Sequence, residues 1–275
     1  MPYRLVRRIG GKGVSPGPFR EALRGVAVAG GRVYAVGDSA LAVFTPDGEL
    51  VARWATSRPA ECVALDGAGR AWVGEWKQCE VFDAARGLVS SFRDPQRLGR
   101  VTAIGFVAGD VFLADAMARC IRRYDGERRF LNDIGDRHRK GGFDIPNGVL
   151  DFAVSGDGEI VVANPGMHRV ERYTPTGALV SQFGRFDGRD PAGFGGCCNP
   201  TNLAVDARDR VIVSEKAGPR VKVYAPSGEL VAVVADTAFD AGCRNMDLAV
   251  DAQGRIYVAD TVRLEICVLA PAEAA

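Results

Sequence analysis

The sequence predicts an all-β protein, a six-bladed β-propeller of four-stranded antiparallel blades whose ring is closed by the N-terminal strand completing the last blade. Three observations carry that prediction. A unit of roughly 45 residues recurs six times along the chain, the signature of a propeller with several strands per repeat. One strand of every unit has a small residue at its centre, which suits an innermost strand crowded around an axis. The sixth unit lacks a fourth strand, while the chain begins with a strand that belongs to no unit. All 275 residues read as one domain, 1–275.

The elements follow in order. The opening run, Tyr3-Arg4-Leu5-Val6-Arg7-Arg8-Ile9-Gly10, has the character of the fourth strands elsewhere, such as Ala178-Leu179-Val180-Ser181-Gln182-Phe183-Gly184. The inner strands are Val26-Ala27-Val28, Val63-Ala64-Leu65, Ile104-Gly105-Phe106, Phe152-Ala153-Val154, Leu203-Ala204-Val205 and Leu248-Ala249-Val250. Each is followed by a β-branched run ending in a polar or acidic residue: Asp38, Glu75, Asp115, Asn164, Glu215 and Asp260. Successive members of that set lie 37, 40, 49, 51 and 45 residues apart. A loop and a third strand follow, then turns such as Pro46-Asp47-Gly48, Pro175-Thr176-Gly177 and Pro226-Ser227-Gly228. Proline presets φ near −65° and glycine supplies a positive φ, so these tripeptides reverse the chain for a physical reason. The sixth unit stops at Ile266-Cys267-Val268-Leu269, where the first strand can pair and leave no long open edge.

Composition excludes several classes of function. With 47% hydrophobic and 25% charged residues the chain is globular rather than disordered. A net charge of +1 provides no general field for a polyanion, so nucleic acid is not an expected partner. A basic loop, Arg137-His138-Arg139-Lys140, lies near Arg128-Arg129 and could join Arg185, Arg189 and Arg244. It lacks the interleaved aromatics that stack bases, which leaves RNA binding as a second alternative. No apolar run approaches the ~20 residues of a bilayer span. No signal peptide is visible at the N-terminus, so the cytoplasm is the default expectation. The chain has two histidines, His138 and His168, and no GxSxG, HExxH or phosphate-loop motif, so the reading leans away from an enzyme.

The repeats resemble the NHL repeat, in which Val-Ala-Asp is followed by Asn-x-Arg-Ile/Val, an aromatic residue and Asp/Pro-x-Gly. Asn164-Pro165-Gly166-Met167-His168-Arg169-Val170 and Glu215-Lys216-Ala217-Gly218-Pro219-Arg220-Val221 keep arginine at the fifth position after the polar residue, whereas Cys120 and Glu265 replace it. The stretches around Cys197-Cys198-Asn199-Pro200 and Asn164-Pro165-Gly166-Met167-His168-Arg169 are similar to a bacterial NHL-repeat family without a settled activity. Members of that family are often exported or anchored. The resemblance implies a propeller and leaves function open, since NHL propellers include scaffolds, RNA readers, a lyase and sensors.

Candidate site residues come from loops that should share one face with the axial funnel. Asn147, Asp151, Asn199, Asn202, Arg244 and Asp247 precede or begin inner strands and are the expected ligand-binding set. Converging carboxylate and amide oxygens suit a hard cation such as Ca²⁺, although Asp and Asn also cap strand ends and turns. The polar ring from Asp38 to Asp260 recurs in every blade, which favours a structural role. Asp151, Asn202 and Asp247 break the repeat and are the better candidates. Seven cysteines cannot all pair within one chain. Cys62, Cys197, Cys198 and Cys243 fall near one predicted mouth and could hold Zn²⁺ or Cu⁺, act as redox thiols, or form a Cys198–Cys243 disulfide. Cys79, Cys120 and Cys267 read as packing residues. The function expected is therefore a non-enzymatic binding or scaffold propeller that takes a protein or small-molecule ligand at its loop face and funnel. A metal- or thiol-dependent protein is the first alternative.

Overall fold

The computed structural model describes residues 3–12, 18–135, 141–216, 218–235 and 237–272. Strand β1 (Tyr3–Gly10) leads into blade 1, made of β2 (Gly25–Ala29), β3 (Arg32–Gly37), β4 (Ala40–Phe44) and β5 (Leu50–Ala55). Blade 2 is β6 (Cys62–Leu65), β7 (Ala71–Glu75), β8 (Gln78–Asp83) and β9 (Gly87–Arg93). Blade 3 is β10 (Val101–Val107), β11 (Asp110–Asp115), β12 (Cys120–Tyr124) and β13 (Phe130–Ile134). Blade 4 is β14 (Asp151–Val154), β15 (Ile160–Asn164), β16 (Arg169–Tyr173) and β17 (Leu179–Phe183). Blade 5 is β18 (Asn202–Val205), β19 (Val211–Glu215), β20 (Arg220–Tyr224) and β21 (Leu230–Ala235). Blade 6 holds β22 (Leu248–Val250), β23 (Ile256–Asp260) and β24 (Glu265–Pro271), with β1 as its outermost strand in the order β1-β24-β23-β22.

The ring closes as the sequence predicts. Strand β1 runs antiparallel to β24 from Tyr3↔Pro271 to Gly10↔Glu265, with an irregularity between Leu5 and Arg7 that lets Val6 bulge. Arg8 reinforces this zipper: its guanidinium meets the Glu265 carboxylate and donates to the Ala238 carbonyl at 2.9 Å. The first strand therefore satisfies an edge that would otherwise expose a row of unpaired N–H and C=O groups.

The cores lie between blades rather than within them. Middle strands are buried on both faces, so β4 reads ALAVF and β15 IVVAN without polar alternation until the last residue. Outer strands have a solvated side, and β5 alternates half-buried and exposed along LVARWA. Six apolar clusters result, one at each junction. One joins Ala35, Ala42 and Phe44 of blade 1 to Tyr257 and Ile266 of blade 6, across the point of closure. Another joins Phe112 and Ile121 of blade 3 to Phe152 and Val162 of blade 4. Burial at roughly 25 cal/mol per Å² of apolar surface makes these junctions the main source of stability, and no blade can bury both of its faces alone.

Repeated turns hold the strands in register. Asp66 Oδ1 accepts from the Ala68 and Arg70 N–H groups, and its other oxygen takes the Arg70 guanidinium at 2.8 Å. The same Asp-to-Arg turn recurs at Asp206–Arg210 and Asp251–Arg255. Gly74 is needed for close approach: a Cβ there would lie 2.4 Å from the Cys62 sulfur.

Candidate functional site

Two sets of carboxylates distinguish themselves by their surroundings. The first is the polar ring at the end of each second strand, and it does structural work. Asp38 accepts the N–H groups of Arg20, Glu21 and Ala22. Asp115 accepts those of Gly99, Met117 and Ala118 and pairs with Arg122 at 3.2 Å. Asp260 accepts from Asp240, Val262 and Arg263. Three N–H donors hold Asp260 below the usual carboxylate range, against the opposing cost of its burial. Glu215 is fully buried, and Lys222 Nζ, also fully buried, lies 2.7 Å from it and 2.7 Å from the Gly193 carbonyl.

Blade 2 is the exception within that ring. Across β7 and β8, Glu75 and Glu80 are both buried, with Gln78 and Ser57 as neighbours instead of a cation. Burial, and then the field of Glu80, push the Glu75 carboxyl up to about 7, although the Gln78 amide pulls the other way. One oxygen of Glu75 has no hydrogen-bond partner.

The second set lies on the axis. The residue preceding each apolar inner triplet forms one layer around the channel: Gly25, Cys62, Ala103, Asp151, Asn202 and Asp247. Each is anchored opposite the same position of the second strand, as in Cys62↔Gly74, Asp151↔Ala163 and Asn202↔Ser214. Blades 1 to 3 contribute small or weakly polar residues to this layer, and blades 4 to 6 contribute two carboxylates and an amide. Asp151 Oδ2 accepts the Leu203 N–H of blade 5 at 2.8 Å, and Asp247 Oδ2 accepts the Val26 N–H of blade 1 at 2.8 Å. These bonds fasten neighbouring inner strands. The Asn202 side chain also hydrogen-bonds Asp151, and neither carboxylate has an ion pair among the described residues. Burial pushes Asp151 well above the ordinary carboxylate range, and the Asp247 charge adds to it. Asp247 is pushed up to about 7, chiefly by its depth. The part of Asp247 that solvent can touch faces the internal channel rather than the outer surface. Asn202 is 4% exposed, and its Oδ1 has no hydrogen-bond partner.

Two cavities meet at this layer. A recess of about 210 Å³ opens on the predicted loop face, with Arg24, Glu61, Asn202 and Arg244 among its walls. A larger cavity of about 1010 Å³ opens on the opposite face, between the turns that link first to second strands. Its walls are the outer halves of the inner strands, with Val28, Leu65, Phe106, Val154, Val205 and Val250, and Trp72 stands against Phe106 near its rim. Thr102 and Asp247 line both spaces and mark where they join. The expectation of a site at the loop face and axial funnel does not separate these two spaces, the larger of which opens on the opposite face. The third residue of every inner triplet, uniformly apolar in a position facing the axis, is the signal that could have located it.

The remaining candidates divide. Asn147 stands behind the recess wall, donating to Oδ1 of Asn245, which lines it, at 2.7 Å. Arg244 lines the recess with its side chain exposed. Asn199 is not a ligand candidate: it is fully buried, donates to the Gly195 carbonyl at 2.7 Å and accepts the Lys216 N–H at 2.9 Å, so it braces its own loop. The basic loop Arg137-His138-Arg139-Lys140 lies outside the described residues. Arg128 spends its guanidinium on the Ser91 carbonyl and the faces of Trp72 and Phe92, and Arg129 on Asp125 and Glu127.

The four mouth cysteines are not gathered into a ligand group. All seven cysteines are free thiols, so Cys198 and Cys243 are not bridged. Two of the four have partners elsewhere: Cys62 Sγ donates to the Val101 carbonyl of blade 3 at 3.5 Å, and Cys243 Sγ to Asp260 Oδ1 of blade 6 at 3.1 Å. Cys197 is exposed beside buried Cys198. Burial raises the thiol of Cys62 far up and that of Cys243 to about 11, which disfavours the thiolate a soft metal requires. Among the described residues, the one set of three His, Cys, Asp or Glu side chains with ligand atoms close together is Asp260, Glu265 and Cys267. Arg8 and Arg263 already neutralise it.

No family model and no curated protein matches the chain. The resemblance to the NHL repeat and to a Cys-Cys-Asn-Pro family is therefore not confirmed. Solved structures do match. A streptogramin B lyase superposes with a TM-score of 0.68 at 12% identity, covering 97% of each chain. A Bacteroides thetaiotaomicron protein of unknown function superposes with a TM-score of 0.68 at 16% identity, over 91% of this chain and 69% of its own. The WD40 propeller domain of Doa1 gives 0.64 at 13% identity over 98% of both. At such identities the likeness is one of fold, and by fold this chain is a six-bladed β-propeller.

Proposed function

We propose that this protein is a ligand-binding module that takes a small molecule into its axial channel. The body of the ligand occupies the wide apolar cavity, and a polar end reaches Thr102 and Asp247. The observation that carries the reading is the junction itself, where a cavity of about 1010 Å³, apolar along its inner strands and polar where Asp66, Arg70, Asp125 and Arg128 line it, ends on Asp151 and Asp247, which are bonded to backbone N–H groups and among the described residues have no ion pair. Ligand sites commonly combine such walls with a few convergent polar groups. The propeller fold is used widely for binding and scaffolding. A lyase shares it, but His168, the histidine among the described residues, packs edge-on against Phe186 and is not among the residues lining the channel.

Nile red, a neutral apolar fluorophore, tests the cavity directly. Saturable one-to-one binding with energy transfer from tryptophan is expected, and Ala249→Phe or Ala153→Phe should abolish it while the far-ultraviolet spectrum is kept. Binding undiminished in both folded variants, or absent from the wild type, overturns the assignment.

A further inference from the structure

We propose that Asp151, Asn202 and Asp247 form a site for a hard divalent cation of the Ca²⁺ class at the centre of the propeller. The three residues occupy equivalent positions in adjacent blades 4, 5 and 6, in one layer around the axis. Each carboxylate commits an oxygen to a backbone N–H of the next blade, which fixes its orientation, and keeps further lone pairs. Asn202 adds an independent observation. Its Oδ1 is buried with no hydrogen-bond partner, although a buried acceptor left unsatisfied is costly. Asp247 shares the larger cavity with Asp151 and the recess with Asn202, and the Asn202 side chain hydrogen-bonds Asp151, so the three groups meet where the two spaces join. Two carboxylates and an amide oxygen at that junction, each carboxylate bonded to a backbone N–H rather than to a lysine or arginine among the described residues, call for a positive charge that accepts oxygen ligands.

Three carboxylates at the ends of second strands show what this layer lacks. Glu215 has Lys222, Asp115 has Arg122, and Asp260 has Arg263, each within 4.0 Å. On the axis the second strands present only Ala163, Ser214 and Ala259 to the acidic layer, so no blade supplies a cation from that side. The choice of a hard ion follows from the donors. Cys62 belongs to the same layer, but its thiol donates to the Val101 carbonyl and has no thiolate to offer Zn²⁺ or Cu⁺. Water reaching Asp247 through the loop-face recess can complete the coordination shell, as is usual for Ca²⁺.

This inference rests on the channel reading and names what charges its polar end. The test is calorimetric titration of Ca²⁺ into the full chain after chelator treatment and dialysis, with melting followed in parallel. One saturable site and a raised melting temperature are expected in the wild type. Asp247→Asn keeps an acceptor for the Val26 N–H and should weaken Ca²⁺ by about tenfold or more, as should Asp151→Asn; Glu75→Gln, in blade 2, should leave it unchanged. Should one axial variant fail to fold, the other decides. No Ca²⁺ binding in the wild type, or affinity retained in the folded axial variants, overturns the site. Nile red binding without Ca²⁺ binding would refute the ion and leave the cavity assignment standing.

Discussion

Blade 5 and blade 2 put acids at the same place in the same sheet and resolve the charge in opposite ways. In blade 5, Glu215 faces Lys222 and Arg220, and the ammonium is further held by the Gly193 carbonyl and the Phe194 ring. In blade 2 the position of Lys222 is taken by Glu80, and Glu75 has only Gln78 and Ser57. A repeat thus supplies its own control. Where a carboxylate is met by a cation from its own blade, as in blade 5, or by several backbone N–H donors, as Asp38 is, it is part of the framework. Where it is not, it holds a proton or calls for something from outside, and the axial pair Asp151 and Asp247 belongs to this second kind.

The comparison can be broken most severely in blade 5. Lys222→Met should cost about 3–5 kcal/mol, because it leaves Glu215 buried with one partner fewer. Urea unfolding measures the loss, and adding Glu215→Gln should recover part of it. A Lys222→Met protein as stable as the wild type would show that the pair contributes little.

Blade 2 should answer to pH. The folded pKa of Glu75 is raised from 4.5 to about 7, so the folded state binds this proton more tightly than the unfolded chain does. Its contribution to stability is complete below about pH 4.5 and is lost as pH rises through about 7. Glu75→Gln should therefore flatten the decline between those values and gain about 3 kcal/mol relative to the wild type at the upper end. Parallel urea melts at about pH 5 and about pH 8 check the sign. A variant gaining nothing at the higher pH would mean that Glu75 is already ionised without penalty.

Smaller effects sharpen the contrast. Arg8→Ala removes the cation that β1 delivers to Glu265 and should lower stability by about 1–2 kcal/mol, less than a fully buried pair because Arg8 is partly solvated. Thermal melting reads it. At about pH 4 or below, Asp247→Asn should change stability by less than about 1 kcal/mol, since the Val26 N–H keeps its acceptor. As pH rises through about 7 the variant should become more stable than the ion-free wild type, because the buried carboxyl is then ionised at a cost, while its effect on binding should be a loss.

Much of the architecture was legible because it rests on local chemistry repeated six times. The Pro-x-Gly turns, the β-branched second strands and the unpaired first strand each specify their own geometry, and the residue ranges of β1 and the inner strands follow from them. Asp151, Asn202 and Asp247 were also legible, since they interrupt a position held by Gly25, Cys62 and Ala103 in the other half. Other features were not. Cys198 and Cys243 look equivalent in spacing, yet the Cys243 thiol turns to Asp260 of its own blade. Asn199 sits beside Asn202 in sequence and serves only its loop. Spacing along a chain gives the layer a residue occupies, whereas the direction of its side chain depends on which donors crowd around it.

The sequence by itself determined the six-fold repeat, the strand order within each blade and the closure of the ring, because turn geometry and alternating burial act over a few residues. The tertiary structure alone decided which charges find partners and where the open space lies. Those outcomes depend on groups from different blades meeting at one distance, and no local pattern encodes that distance.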